Sequence, residues 1–182
     1  AAGAAPAEGS GVAEEHRVAE RVSTRDPGGS VKMEERQAAG GGPLADGSEV
    51  FAWTVAVRFG EVDHAGLVYY PRIFHYCHVA YEEWLGSSPT LALPELLGRQ
   101  RVGTPVVAVE SSFHSPMRHG DRVRVAITVE RVGTRSFVLG FRLTGAADER
   151  VRSRVEITHA VVCLDSLQSM GIPKDLRELL EE

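Results

Sequence analysis

The sequence predicts an α+β domain in which one long helix lies on a curled, five-stranded antiparallel sheet. Two observations carry this. Five separated segments alternate apolar and polar residues with a period of two, the mark of half-buried strands, and one stretch, Arg72 to Leu85, changes to the helical period. The connections after the helix are short, which favours antiparallel pairing because a parallel pair needs a long crossover. One helix on one antiparallel sheet is the α+β layer arrangement. A single helix covers little of a five-stranded sheet, so association of copies is expected.

The elements follow in order. Phe51, Trp53, Val55, Val57 and Phe59 alternate with smaller or polar residues and read as the first strand. Pro71 suits the opening turn of the helix, where a missing N–H costs nothing. Ile73, Cys77, Ala80 and Trp84 then form one helical stripe, widened by Phe74, Tyr81 and Leu85, so the helix is expected to be buried along most of its length. Residues 104–113 are rich in valine and end in Phe113. Val123, Val125, Ile127 and Val129 alternate with Arg122, Arg124 and Thr128. Gly133-Thr134 reads as a tight turn into Phe137, Leu139, Phe141 and Leu143. The last strand carries Val151, Val155, Ile157, Val161 and Cys163 on one side, and Pro173 to Leu180 reads as a short closing helix.

Composition bounds the function. The 182 residues allow one domain plus extensions, and 43% hydrophobic content can fill a core. Residues 1–48 are rich in Ala, Gly, Glu and Arg and contain no aromatic residue; a disordered N-terminal extension is expected there, with the domain over 49–182. Net charge is −5, from 20 basic and 25 acidic residues, which argues against nucleic acid as a partner. No apolar run approaches the ~18 residues of a membrane span, and the Ala-rich start lacks the continuous apolar stretch of a signal peptide. Two cysteines, Cys77 and Cys163, make no disulfide framework, so reduced thiols and a cytoplasmic location are expected.

The stretch from Phe59 to Pro71 carries the chemistry. Asp63 sits in a short loop between an apolar strand and the helix, and Gly66 gives that loop backbone angles other residues resist. The unpaired amides of the helix start, with the positive end of its dipole, make a site for developing negative charge. A carboxylate beside such a site is what acyl transfer to water needs. Taken alone, Asp63 reads more readily as a turn or capping residue than as a catalytic one.

The run Val57-Arg58-Phe59-Gly60-Glu61-Val62-Asp63-His64-Ala65-Gly66-Leu67-Val68-Tyr69-Tyr70-Pro71 resembles the motif of hot-dog fold acyl-CoA thioesterases, in particular the Pseudomonas-type 4-hydroxybenzoyl-CoA thioesterase branch. Val102-Gly103-Thr104-Pro105-Val106-Val107, Ser112-Phe113, Gly120-Asp121 and Arg135-Ser136-Phe137 resemble the same family at the expected intervals. The resemblance covers roughly residues 49–182. It implies a five-stranded sheet wrapped around one helix, and two subunits paired edge to edge, as a homodimer or homotetramer with active sites at the interface. It implies that Asp63 attacks the thioester or activates water, that the backbone N–H near Tyr70 polarises the carbonyl, and that neither metal nor cofactor is needed. Coenzyme A enters as part of the substrate.

Other residues carry paired readings. His64 either tunes Asp63 and meets substrate or is a solvated loop histidine. Tyr69 and Tyr70 line an acyl pocket or pack as aromatic core. His75, His78 and Glu82 fall at i, i+3 and i+7, but three ligands on one helix make a poorly enclosed metal site. His78 is expected at the substrate end of the pocket, where the 4-hydroxybenzoyl branch has an acid. Arg135, with Ser136, matches a position that meets the CoA phosphates in this branch, and Arg131 or Arg118 supplies further charge; each also reads as an ordinary surface group. Cys77 is read as core filler and His159 as a satisfied core histidine.

The expected activity is hydrolysis of an acyl-CoA thioester with an aromatic or medium-chain acyl group. A hot-dog dehydratase or hydratase would use a histidine with an acidic partner in a motif not found in this sequence. A non-catalytic acyl-CoA-binding sensor would have no need of Asp63. A Ser-His-Asp hydrolase is discarded because no Gly-x-Ser-x-Gly elbow occurs.

Overall fold

The computed structural model describes residues 48–182. The extension expected over residues 1–48 lies, apart from Ser48, outside the described residues. In chain order the elements are β1 (Glu49–Ala56), α1 (Pro71–Gly86), β2 (Val102–Gly103), β3 (Val106–Phe113), β4 (Arg122–Val132), β5 (Ser136–Gly145), β6 (Val151–Ala160), β7 (Val162–Cys163) and α2 (Lys174–Glu181). The main sheet has the order β1-β4-β5-β6-β3, antiparallel throughout. The expected α+β architecture, five antiparallel strands with one long helix, is the one observed.

The core lies between α1 and one face of the sheet. Val123, Val125, Ile127, Phe137, Leu139, Phe141 and Leu143 are all buried against Ile73, Cys77, Ala80, Tyr81, Trp84 and Leu85 of the helix. The expected stripe of Ile73, Cys77, Ala80 and Trp84 is thus wholly buried, and Tyr76 joins it at 1% exposure. Burying one such Leu or Phe side chain contributes roughly 1.5–3 kcal/mol.

Two strand ends depart from the expected pattern. β1 stops at Ala56, and the chain enters a short 3₁₀ turn, Phe59–Glu61, that leaves Phe59 79% exposed. The last strand does not run on to Cys163. It breaks after Ala160, and β7 pairs instead with β2 in a separate two-stranded ribbon. Pro105 explains the break: its carbonyl still accepts from Ala160 N–H at 3.0 Å, but proline offers no N–H to continue the β3–β6 ladder. Between α1 and β2, where no element was expected, Pro94–Arg99 form a π-helical turn that buries Leu96.

The sheet ends on one side with β3, all eight of whose residues are exposed, Val106, Val107, Val109 and Phe113 included. An apolar strand with unpaired backbone groups along one side is a template for another strand.

Candidate active site

The loop between the 3₁₀ turn and α1 is a small hairpin. Val62 bridges Val68, and the tip is an Asp63–Gly66 turn in which Gly66 N–H donates to Asp63 O (2.9 Å) and Asp63 N–H to Leu67 O (2.8 Å). Gly66 has φ +75°, and an added Cβ would meet nothing within 4 Å, so the backbone angle, not space, selects glycine here. The Asp63 side chain locks its own turn: Oδ1 accepts from Ala65 N–H (2.8 Å) and Leu67 N–H (3.3 Å). Oδ2 has no hydrogen-bond partner among the described residues. The carboxylate is exposed, with one oxygen anchored and the other open. Asp63 is therefore a turn residue and a presented carboxylate at once.

The return limb leads directly into the helix. Val68 N–H donates to Met117 O (2.9 Å) and Tyr69 N–H to Glu61 O (3.0 Å). Tyr70 caps α1 with helical angles, φ −49° and ψ −35°, and Pro71 follows. The Tyr70 N–H donates to no acceptor among the described residues, and Pro71 has none to donate. An open amide at the positive end of a 16-residue helix can hold an oxygen that gains negative charge. Tyr69 and Tyr70 are 50% and 57% exposed and their rings meet edge to face at 5.2 Å, so they are not core. A cavity of about 290 Å³ opens beside Tyr70, walled largely by apolar side chains such as Leu67, Ile73, Phe113 and Met117, with His114 and Arg152 also lining it.

The remaining candidates lie around this centre to different degrees. His64 is exposed on the turn beside Asp63. His78 is exposed on α1 with Nε2 2.8 Å from a Glu82 carboxylate oxygen. No group of three or more His, Cys, Asp or Glu side chains is placed to hold a metal ion among the described residues. Arg135 and Ser136 are exposed where the β4–β5 turn enters β5; the turn is closed by Gly133 N–H donating to Ser136 O at 2.8 Å. Arg131 lines a different cavity, about 300 Å³, with Glu181 and Glu182. None of these three lines the cavity beside Tyr70. Cys77 is fully buried, and burial pushes its thiol pKa up, as suits a core filler.

Two features escaped the sequence reading. His159 is 3% exposed, but it is only half satisfied: Nδ1 pairs with Thr104 O at 2.9 Å while Nε2 is buried without a partner among the described residues. The other is Glu61, whose Oε2 accepts from Arg58 N–H (2.6 Å) and from the Tyr76 hydroxyl (2.9 Å). Glu61 and Tyr76 are distant in sequence and on different elements, so no local periodicity signals the pair. Burial first, then the Glu61 carboxylate, drives the Tyr76 phenol pKa up, so the hydroxyl remains a donor.

A helix cradled by a five-stranded antiparallel sheet, with a carboxylate-bearing turn at the helix start, defines a hot-dog protein of the thioesterase class. The chain belongs to the thioesterase-like superfamily, whose family model matches residues 57–180. It is similar to 1,4-dihydroxy-2-naphthoyl-CoA hydrolase of Synechocystis sp., 27% identical with 68% of this chain and 89% of the relative covered. The protein of the same name from Nostoc punctiforme is 28% identical, with 72% and 86% covered. Among solved structures, a 1,4-dihydroxy-2-naphthoyl-CoA thioesterase from Synechocystis shares the fold with a TM-score of 0.67 at 24% identity, over 72% of this chain and 96% of that one. The chain is thus an acyl-CoA thioesterase by family. No helix among the described residues is long and apolar enough to cross a membrane.

Proposed function

We propose that this protein hydrolyses an aromatic acyl-CoA thioester to the free acid and CoA, with Asp63 as the reacting carboxylate and the Tyr70 N–H as the oxyanion donor. The observation that carries the reading is that one short segment, from the hairpin tip to the start of α1, holds both a carboxylate with an open Oδ2 and a helix-start amide with no acceptor among the described residues. The carbonyl oxygen binds the Tyr70 N–H. Asp63 then either attacks the carbonyl carbon, expelling CoA thiolate and forming an anhydride that water cleaves, or takes a proton from the water that attacks. Both routes consume one water and need no cofactor. The mostly apolar cavity beside Tyr70 can take an acyl group, and the relatives named for 1,4-dihydroxy-2-naphthoyl-CoA support an aromatic one over a medium chain.

The same reading takes two or more copies. The exposed apolar edge of β3 supports edge-to-edge pairing, which would bring a second chain's residues to the open side of the loop. Arg135 and Ser136, with Arg131, would then meet the CoA phosphates, and His64, Tyr69 and His78 the acyl group. Two free cysteines fit a reducing, cytoplasmic setting.

Thiol release from a panel of aryl, phenylacetyl and straight-chain acyl-CoAs tests this, wild type beside Asp63→Asn. Wild type is expected to favour aryl members, and Asp63→Asn to lose about 10²–10⁴-fold in kcat with its fold intact. Undiminished release by the variant would remove Asp63 from the chemistry. Tight binding without turnover of any member would leave an acyl-CoA sensor.

A further inference from the structure

The two halves of the proposed centre sit on different elements. Asp63 is on the outgoing limb of the hairpin, and the Tyr70 amide is at the start of α1. Glu61 joins them. Its carbonyl accepts from Tyr69 N–H at 3.0 Å, one residue before Tyr70. Its carboxylate Oε2 accepts from Arg58 N–H at 2.6 Å, closing the 3₁₀ turn that leads into Asp63. The same oxygen accepts from the hydroxyl of Tyr76, within α1, at 2.9 Å. Tyr76 is 1% exposed and packed in the core, so its hydroxyl is a fixed point on the helix.

We propose that Glu61 and Tyr76 are a positioning pair that fixes the spacing between the Asp63 carboxylate and the Tyr70 N–H, with neither side chain touching substrate. The proposal rests on the reading of Asp63 and Tyr70 given above. Hydrogen bonds to a carboxylate are shorter and stronger than neutral ones, so one oxygen shared by turn and helix holds both against drift. Small displacements of reacting groups are costly: about 1 Å can cost on the order of 10²-fold in rate. A bond that served stability alone would instead lower the melting temperature and leave the turnover of folded molecules unchanged.

The test compares kcat, KM and melting temperature in Tyr76→Phe, Glu61→Gln, Glu61→Ala and the double variant Glu61→Ala/Tyr76→Phe, using the best thioester of the panel. Tyr76→Phe removes one oxygen from a side chain whose ring stays in the core. It is expected to lower kcat about tenfold, a fraction of the cost of a full displacement, with KM within about twofold of wild type. Glu61→Gln keeps a side-chain oxygen that can accept from both donors, so this variant is expected to retain most of kcat. The double variant should be no slower than Glu61→Ala, because the two side chains act as one unit. Wild-type kcat in Tyr76→Phe with a lowered melting temperature would overturn the proposal, and so would losses that multiply in the double variant. Should Glu61→Ala fail to fold, Tyr76→Phe against Glu61→Gln decides alone. Asp63→Asn separates the two levels: full turnover there sinks the reading of Asp63 and the pair's purpose with it, whereas a dead Asp63→Asn beside a wild-type Tyr76→Phe sinks the pair only.

Discussion

The His159 imidazole stacks with two rings, Tyr81 at 4.9 Å and Phe137 at 5.0 Å. The Tyr81 hydroxyl is in turn 2.9 Å from Thr104 Oγ1, and the Thr104 carbonyl accepts from His159 Nδ1 at 2.9 Å. This cluster joins α1, β5, β6 and the Thr104-Pro105 connection that opens β3. Nε2 of the imidazole has no partner among the described residues.

That arrangement makes stability depend on pH. Burial, with the nearby His78 charge adding to it, pushes the His159 pKa below that of a free histidine, although the Thr104 carbonyl pulls the other way. The unfolded chain therefore binds a proton at this residue first, near pH 6.5. Above that pH neither state is protonated and nothing changes. As pH falls from about 6.5 towards the folded-state value, stability is lost by up to about 1.4 kcal/mol per pH unit, and the loss levels off below it. Urea melts at pH 7.5, 6.5 and 5.5 check this: the gap between wild type and His159→Gln should change across the window, and a constant gap would contradict it.

Legibility in the sequence follows the range of the interaction. Asp63, Gly66 and Tyr70-Pro71 were readable because turn chemistry and helix starts are local, and the alternation of Phe137 to Leu143 is a local pattern that reports one sheet face buried against α1. What was missed lies across elements. The Glu61–Tyr76 bond, the unpartnered Nε2 of His159 and the split of β6 from β7 at Pro105 each depend on which segments lie side by side. The exposure of Val107 and Val109, apolar residues on an edge strand, has no account among the described residues.

Gly66 sits at φ +75° with empty space where a Cβ would point. Gly66→Ala should therefore cost about 1–2 kcal/mol through backbone strain alone. Gly66→Asn should cost less, since asparagine tolerates the left-handed region. Melting temperatures in the order Gly, Asn, Ala, with kcat falling in the same order, are the expected result. Equal stability of the Asn and Ala variants would point to some other demand on the glycine.

Arg135 is exposed on the β4–β5 turn and away from the cavity beside Tyr70. A contact to a CoA phosphate predicts that Arg135→Ala raises KM for acyl-CoA by up to about tenfold, the equivalent of ~1.4 kcal/mol, with kcat little changed. A thioester of the same acid on a short thiol without the nucleotide should show no difference between the two proteins. An equal loss on both substrates would place Arg135 outside nucleotide recognition.

The edge strand β3 offers the broadest prediction. Val107 and Val109 are 60% and 42% exposed, on a strand that among the described residues is hydrogen-bonded to β6 alone. A lysine on such an edge is a common device against strand pairing, because pairing would set like charges from two copies close together. If copies pair along this edge as proposed, Val109→Lys should convert the assembly to single chains, read as a drop in solution mass, while the circular dichroism of the folded chain persists. Activity should fall with it, because the open side of the Asp63 loop then lacks its neighbour. Wild-type mass and activity in Val109→Lys would mean that this edge is covered by something else, and full activity in a proven monomer would mean that one chain carries the whole site.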